Sequence, residues 1–361
     1  MTISVVHVLG GLVAHGAELR VLELIRNSDK QQFTHYVFVL DRSLRDLEGR
    51  FVAAGAKIEL ARSVWHSGLD LASIVRTYKV DIVHSNVDLL NGWCVSWARL
   101  GGAKVRISHM RTEDVGLRSG RLSRLKNIAL WALIQLNTTH HVGVSPSALQ
   151  AGYSTRCSRS SDSRVILSGI DFARLRAEPI RLPGSLVMLH IGRDTSIKNR
   201  EAAVGVLNAC HSLGIDVTLY FVGETTPQRE SELRSLSIAE ASKLSFLGVR
   251  EDVPAIVRGA DVLLSTSRAE GMPGTVLEAA LVGTRVVASD IPATRYLSSL
   301  LPGIHLVSLN MPNEDWAKAV EQQYRRGPIH PAPIDVEDVS QPFDARRTVG
   351  VFEALWRETQ T

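Results

Sequence analysis

Leu186-Val-Met-Leu-His-Ile-Gly-Arg-Asp-Thr-Ser-Ile-Lys-Asn199 decides how this chain is organised. Six residues suited to a buried strand run into a glycine. A short loop carrying Arg193 and Lys198 follows, and then a helical segment. This strand-loop-helix unit opens the second of two series of such units, the pattern of parallel sheets wrapped by helices. Its own series continues with strands expected at Val217–Val222, Lys243–Leu247, Val262–Ser265, Val286–Ala288 and Ile304–Leu306, after Leu186–Ile191 itself. The earlier series has strands expected at Ile3–Leu9, Thr34–Leu40, Lys57–Leu60, Ile82–His84, Val105–Ser108 and His141–Val144. Helices such as Ala17–Arg26, Leu44–Ala54 and Leu69–Tyr78 fall between them. At Ile170–Gly184 the alternation breaks around Asp171, Pro179 and Pro183, which reads as a hinge.

The expected fold is therefore α/β, with two Rossmann-like doubly wound domains facing across a cleft. Residues 1–175 form the first and residues 185–340 the second. Gly327–Pro342, rich in Pro, Asp and Glu, is expected to loop over the surface. Residues 341–361 are expected to pack back on the first domain as a helix, Phe343–Glu358, whose apolar stripe is Val349, Phe352, Leu355 and Trp356. Ligands of such sheets bind at the carboxyl ends of the strands, which assigns the site to the cleft.

The chain has 361 residues, 45% hydrophobic and 22% charged, enough for two cores. Cys94, Cys157 and Cys210 match no metal or redox spacing and cannot all pair, which points to a reducing compartment. No apolar run reaches the roughly 18 residues that span a bilayer, and Met1 leads straight into a strand, so a cytoplasmic location is expected. The net charge of +4 is uneven: residues 1–178 carry 23 Lys+Arg against 15 Asp+Glu, whereas residues 179–361 carry 18 against 22. A basic first half suits an anionic surface or acceptor, and equally a plain difference in surface charge. There is no solenoid repeat or low-complexity tract, and no nucleic-acid partner is expected.

Three loops can carry chemistry. Gly10, Gly11 and Gly16, after the first strand, let the backbone approach a ligand, although many such turns need glycine for geometry alone. Arg193 and Lys198 stand near a helix N-terminus, where cations are disfavoured unless an anion joins them; the alternative is two solvated surface cations. Glu270-Gly-Met-Pro-Gly-Thr-Val-Leu-Glu278 sets two carboxylates about one loop-to-helix turn, a pattern suited to sugar hydroxyls beside phosphate. Thr275 to Glu278 also matches a capping box, a structural alternative that leaves Glu270 unexplained. His84 and His109 sit at strand ends, where an α/β sheet places functional groups, although a lone histidine is more often structural.

Together these residues resemble the retaining glycosyltransferases of the GT-B fold, family four. The resemblance spans almost the whole chain and is densest from Leu186 to Ala293. It is carried by Gly16-Ala-Glu18, Gly192-Arg193 with Lys198-Asn199, Tyr220-Phe-Val-Gly223, Phe246-Leu-Gly-Val-Arg-Glu-Asp-Val253 and Ala260-Asp-Val-Leu-Leu264. The E-x7-E signature, Glu270 to Glu278, follows, then Gly283 and Val286-Val-Ala-Ser-Asp290. Three positions depart from the pattern: Ser168 before Gly-Ile-Asp171, Glu224-Thr225 after Gly223, and Thr284-Arg285 after Gly283.

The resemblance implies a nucleotide-sugar donor and roles for single residues. Gly16 approaches the donor's β-phosphate, Arg193 and Lys198 neutralise the diphosphate, and Glu278 holds the ribose. Glu270 faces the donor sugar. Gly271, Met272 and Gly274, with Thr275 beside them, contact sugar and phosphate, and Gly248, Val249 and Arg250 lie near the base. His109 contacts the transferred sugar, and His84 and Arg111 are acceptor-side candidates. The family dispenses with a metal and any other cofactor, consistent with the lack of an Asp-x-Asp pair here. The expected activity is transfer to a saccharide or lipid-linked acceptor in polysaccharide assembly. Rivals are a sugar-nucleotide epimerase on the same fold and a non-catalytic sugar-nucleotide binder; an NAD oxidoreductase ranks lower, for lack of a Gly-x-Gly-x-x-Gly after a strand. Leu117–Lys126, which interleaves Arg118, Arg121, Arg124 and Lys126 with leucines, is expected to touch an anionic membrane at its inner face. Ile128–Leu136 reads as mostly core.

Overall fold

The computed structural model describes residues 2–13, 16–43, 45–113, 121–153 and 162–358. Contacts group the chain into two units, Met1–Asp171 with Pro342–Thr361, and Phe172–Gln341. The first unit holds a seven-stranded sheet of β1 (Ile3–Leu9), β2 (Phe33–Val39), β3 (Lys57–Leu60), β4 (Ile82–Ser85), β5 (Val105–Met110), β6 (His140–Gly143) and β7 (Ser163–Val165). Their order is β3-β2-β1-β4-β5-β6-β7, with every pairing parallel. The inner strands are buried on both faces, as a helix-covered parallel sheet requires, so they read as apolar runs. β7 escaped the sequence reading because Ser163-Arg-Val165 has no apolar run and is not buried. Of the segment expected as a helix over Leu44–Ala54, Leu44 lies outside the described residues, and the described part is helical over Glu48–Ala53.

The helix Ala345–Glu358 belongs to this first unit and lays Val349, Phe352, Leu355 and Trp356 against Val5, Phe33, Ile82, Val105 and Ile107. Beneath it lie four histidines, His35 of β2, His7 of β1, His84 of β4 and His109 of β5. They join in two pairs: His7 Nε2 is 3.1 Å from His35 Nδ1, and His84 Nε2 is 3.1 Å from His109 Nδ1. Phe352 lies 5.0 Å from the His84 ring and Trp356 5.8 Å from the His7 ring, centroid to centroid. Burial disfavours the charged imidazolium, so His35 and His84 are pushed down to about 3 and His7 and His109 well below the usual histidine range.

The second unit holds β8 (Leu186–Ile191), β9 (Val217–Val222), β10 (Leu244–Phe246), β11 (Val262–Ser265), β12 (Arg285–Ser289) and β13 (Ile304–Val307), in the order β10-β9-β8-β11-β12-β13. All six were expected from their β-branched and aromatic runs. The stretch after Gly327 does not simply loop over the surface: Ile329 donates its N–H to the Gly283 carbonyl at 2.8 Å, and Pro333 and Ile334 are buried. The periodicity missed this because proline fixes the chain there without any helical or strand pattern.

Candidate active site

The second sheet reverses its winding between β8 and β11, so the loops leaving these neighbouring strands diverge and open a crevice. Two loops meet at this edge, Gly192–Asn199 after β8 and Thr266–Pro273 after β11, while Leu247–Arg250 follows β10, two strands from β8.

The Gly192–Asn199 loop is held tightly. Gly192 has φ +148°, and a Cβ there would come within 2.9 Å of Lys198 Cε, so glycine lets the lysine stem pass. Thr266 donates its hydroxyl to the carbonyls of Lys198 (3.2 Å) and Asn199 (2.9 Å). Buried His190 brings Nε2 within 3.1 Å of both the Lys198 carbonyl and Thr266 Oγ1. Arg268 reaches back to the Ser196 carbonyl and the Asn199 side chain. The loop after β11 thereby clamps the loop after β8.

This clamp brings Lys198 and Glu270 together, with Nζ 2.6 Å from Oε1, both side chains largely buried. Arg193 is exposed and, among the described residues, stands without an acidic partner within ion-pair distance. Gly271 is buried; Met272, Gly274 and Thr275 are half-buried. The helix Gly274–Leu281 is capped at Pro273 with no side-chain cap bond, and Thr275 lies inside its first turn. The capping-box alternative is therefore removed. Glu278 instead accepts from Arg174 Nη2 at 2.6 Å and is buried. Gly248, at φ +64°, accepts from the Gly223 N–H at 2.8 Å. Val249 is exposed, and Arg250 pairs with Asp252 at 2.6 Å.

The remaining candidates belong to the first unit. Gly16 opens the helix Gly16–Asn27 with nothing within 4 Å of a would-be Cβ. Arg111 clasps Asn86 Oδ1 through Nε and Nη2 (3.0 and 2.8 Å), and its burial pushes the guanidinium down to about 10. Arg111, Arg20, Ser168, Thr348, Phe352 and His109 help line a small, partly open pocket. His109 is buried, and among the described residues its Nε2 has no hydrogen-bond partner. His84 is no acceptor-side group: it is fully enclosed between His7 and His109 because the terminal helix covers that face. Leu117–Leu122, and with them most of the membrane-contact segment, lie outside the described residues or have side chains that are not described. The core reading of Ile128–Leu136 is corrected. Ile134 is buried, but Ile128 and Leu136 are 53% and 72% exposed, since the helix Arg121–Asn137 turns one apolar edge to solvent.

Sequence reasoning missed Arg174, Arg268 and Arg200. Arg174 lay in the stretch read as a hinge. Arg268 and Arg200 each stand beside a segment that was read, at Glu270 and at Asn199; for Arg200 a cation opening a helix was the available signal.

Residues 185–325 match the family described as "Glycosyl transferases group 1". The putative glycosyltransferase EpsF of Bacillus subtilis (strain 168) is 24% identical over 368 residues, covering 96% of this chain and 94% of that protein. A GDP-mannose:cellobiosyl-diphosphopolyprenol alpha-mannosyltransferase of Xanthomonas oryzae pv. oryzae (strain PXO99A) is 27% identical over 194 residues, 52% of this chain and 47% of that one. Among solved structures, Anabaena Alr3699/HepE in complex with UDP-glucose superposes with a TM-score of 0.77 at 17% identity, covering 99% of this chain and all of that one.

Proposed function

We propose that this chain, whose residues 185–325 match group 1 glycosyltransferases and whose fold is that of the GT-B enzymes, takes a sugar from a nucleoside-diphosphate sugar and transfers it, with retention, to a saccharide or lipid-linked acceptor. The observation that carries this reading is the Lys198–Glu270 contact at the switch point. A cation suited to a diphosphate and a carboxylate suited to sugar hydroxyls lie within one hydrogen bond. In the proposed mechanism Arg193 and Lys198 neutralise the charge that grows on the diphosphate as the glycosidic bond breaks, the electrostatic contribution that is usually largest. The acceptor attacks from the face the diphosphate leaves, and a departing phosphate oxygen takes the acceptor proton. Glu270 orients the donor sugar, and Glu278, aligned by Arg174, receives the ribose hydroxyls. Gly271, Met272, Gly274 and Thr275 line the sugar and phosphate path, and Gly248, Val249 and Arg250 border the base. Gly16, His109 and Arg111 are assigned to the β-phosphate, the transferred sugar and the acceptor. No metal takes part in this scheme, so activity is expected to survive EDTA.

Two observations support a lipid-linked acceptor. One relative is named for a diphosphopolyprenol substrate. The helix Arg121–Asn137 also exposes Leu125, Ile128 and Leu136 beside exposed Arg124 and Lys126. No helix among the described residues is long and apolar enough to cross a membrane.

The test is a thermal-shift screen against UDP, GDP, ADP and their sugars, on the wild type, Glu278→Ala and Arg193→Ala. One nucleotide is expected to stabilise the wild type and to lose most of its effect on both variants. Equal responses in all three proteins would sink the site assignment.

A further inference from the structure

The first residue of the helix Arg200–Ser212 is fully buried, which is unusual for an arginine. Its guanidinium lies over the Phe221 ring at 5.1 Å. Nη2 donates to the Gly192 carbonyl at 2.7 Å and reaches the Glu224 carbonyl at 3.4 Å, while Nη1 donates to Thr225 Oγ1 at 2.5 Å. Its Nε is buried without a hydrogen-bond partner, and no carboxylate lies within 4 Å among the described residues. The nearby Asp194 is engaged by Arg229 at 3.0 Å instead. An unpaired cation buried at the positive end of a helix is costly twice over.

Its geometry gives it a use. A trans peptide sets its C=O and N–H on opposite sides. By drawing the Gly192 carbonyl toward itself, Arg200 turns the N–H of Arg193 the other way, outward from the loop. The neighbouring chain is shaped around this arrangement. Gly223 has φ +126°, and a Cβ there would come within 2.4 Å of the Gly192 oxygen and 3.4 Å of Arg200 Nη2. Gly223 thus leaves room for the carbonyl, and Arg200 holds it there.

We propose that Arg200 is a positioning residue for the donor diphosphate: it fixes the Gly192–Arg193 peptide so that the Arg193 N–H faces the phosphates. It also leaves a permanent positive charge behind the loop. The inference rests on the reading that Gly192–Asn199 receives the diphosphate. It assigns Arg200 no contact with substrate. The charge that costs stability in the empty protein is offset when the anion arrives.

The test compares Arg200→Met, which removes charge and donors, with Arg200→Lys, which keeps the charge and one donor. Calorimetry measures the affinity of whichever of UDP, GDP or ADP stabilises the wild type, and of the matching nucleoside monophosphate. Arg200→Met is expected to weaken the diphosphate about tenfold, a difference of about 1.4 kcal/mol, and to leave the monophosphate nearly unchanged. Arg200→Lys should fall between. A lower melting temperature with both nucleotides weakened alike, or with neither weakened, marks a merely structural anchor and overturns the proposal. Should Arg200→Met not fold, unchanged diphosphate selectivity in Arg200→Lys overturns it as well. Arg193→Ala, measured alongside, separates the two layers. If it binds the diphosphate like the wild type, the diphosphate reading has failed and this proposal with it. If it loses diphosphate while the Arg200 variants do not, only the role of Arg200 is refuted.

Discussion

Lys198 and Glu270 hold each other across the switch point of the second sheet, Nζ to Oε1 at 2.6 Å. The cation assigned to the diphosphate and the carboxylate assigned to the sugar therefore neutralise one another before any donor arrives. On the proposed assignment, donor binding would redistribute this pair, with Lys198 turning to phosphate and Glu270 to hydroxyls. Glu270→Gln keeps the shape and removes the competition. It should bind the nucleoside diphosphate a few-fold more tightly, while transfer slows about a hundredfold for loss of a preorganised charge. Calorimetry and single-turnover transfer check the two halves. Weaker diphosphate binding in Glu270→Gln would show that the pair is not in competition with the donor.

Arg174 aligns Glu278 at 2.6 Å, but its own side chain is more than a third exposed. Solvent screens such a pair, so its loss should cost at most about 1 kcal/mol of stability. The effect on binding should be larger in kind: Arg174→Ala removes the cation that aligns the buried Glu278 carboxylate. Nucleoside affinity is expected to fall several-fold with little change in melting temperature, whereas Glu278→Ala loses most of it. A 2′-deoxy nucleotide that binds wild type and Arg174→Ala equally well would locate the effect at the ribose. Equal loss with the 2′-deoxy nucleotide would contradict the ribose assignment.

What the sequence disclosed, and what it hid, follows from the range of each interaction. β8, β9 and β11 were legible because burial on both faces forces a β-branched or apolar residue at nearly every position. Arg193, Lys198 and Glu270 stand out in the sequence as charges in glycine-bearing turns, and Glu278 as a charge in an apolar helix. The partner of each does not. Arg174 to Glu278 spans 104 positions and Lys198 to Glu270 spans 72, so no local pattern records them. His84 misled for the same reason. Its strand-end position was visible, but the helix that seals it, Ala345–Glu358, lies some 260 residues further along.

The four buried histidines are expected to weaken the first unit in acid. Each is held neutral, with His35 and His84 at about 3 against 6.5 in an unfolded chain. Between those values the unfolded state binds more protons, so stability is complete above about pH 6.5 and is lost progressively as pH falls toward 3. At pH 5 each such histidine removes about 2 kcal/mol. Lys30 and Arg111 add to the shift in the same direction, since like charge also opposes protonation. Urea midpoints measured from pH 8 to pH 4 should fall steeply below pH 6.5, and His84→Gln should flatten that slope. A midpoint independent of pH in this window would refute the buried neutral cluster.

Leu125, Ile128 and Leu136 are spaced three and eight residues apart and are 65%, 53% and 72% exposed on the helix Arg121–Asn137, beside exposed Arg124 and Lys126. The helix contains no acidic residue, so nothing on it opposes an anionic surface. Apolar insertion and basic attraction would then act together, and each would be marginal alone. The protein should co-sediment with phosphatidylglycerol vesicles, release as salt is raised, and ignore phosphatidylcholine vesicles. Leu125→Asp with Ile128→Asp should abolish sedimentation and leave the melting temperature unchanged, because neither side chain is part of the core. Should the wild type ignore both kinds of vesicle yet form dimers that the double variant cannot, the stripe is a protein interface. The lipid-linked acceptor would then lose its structural support.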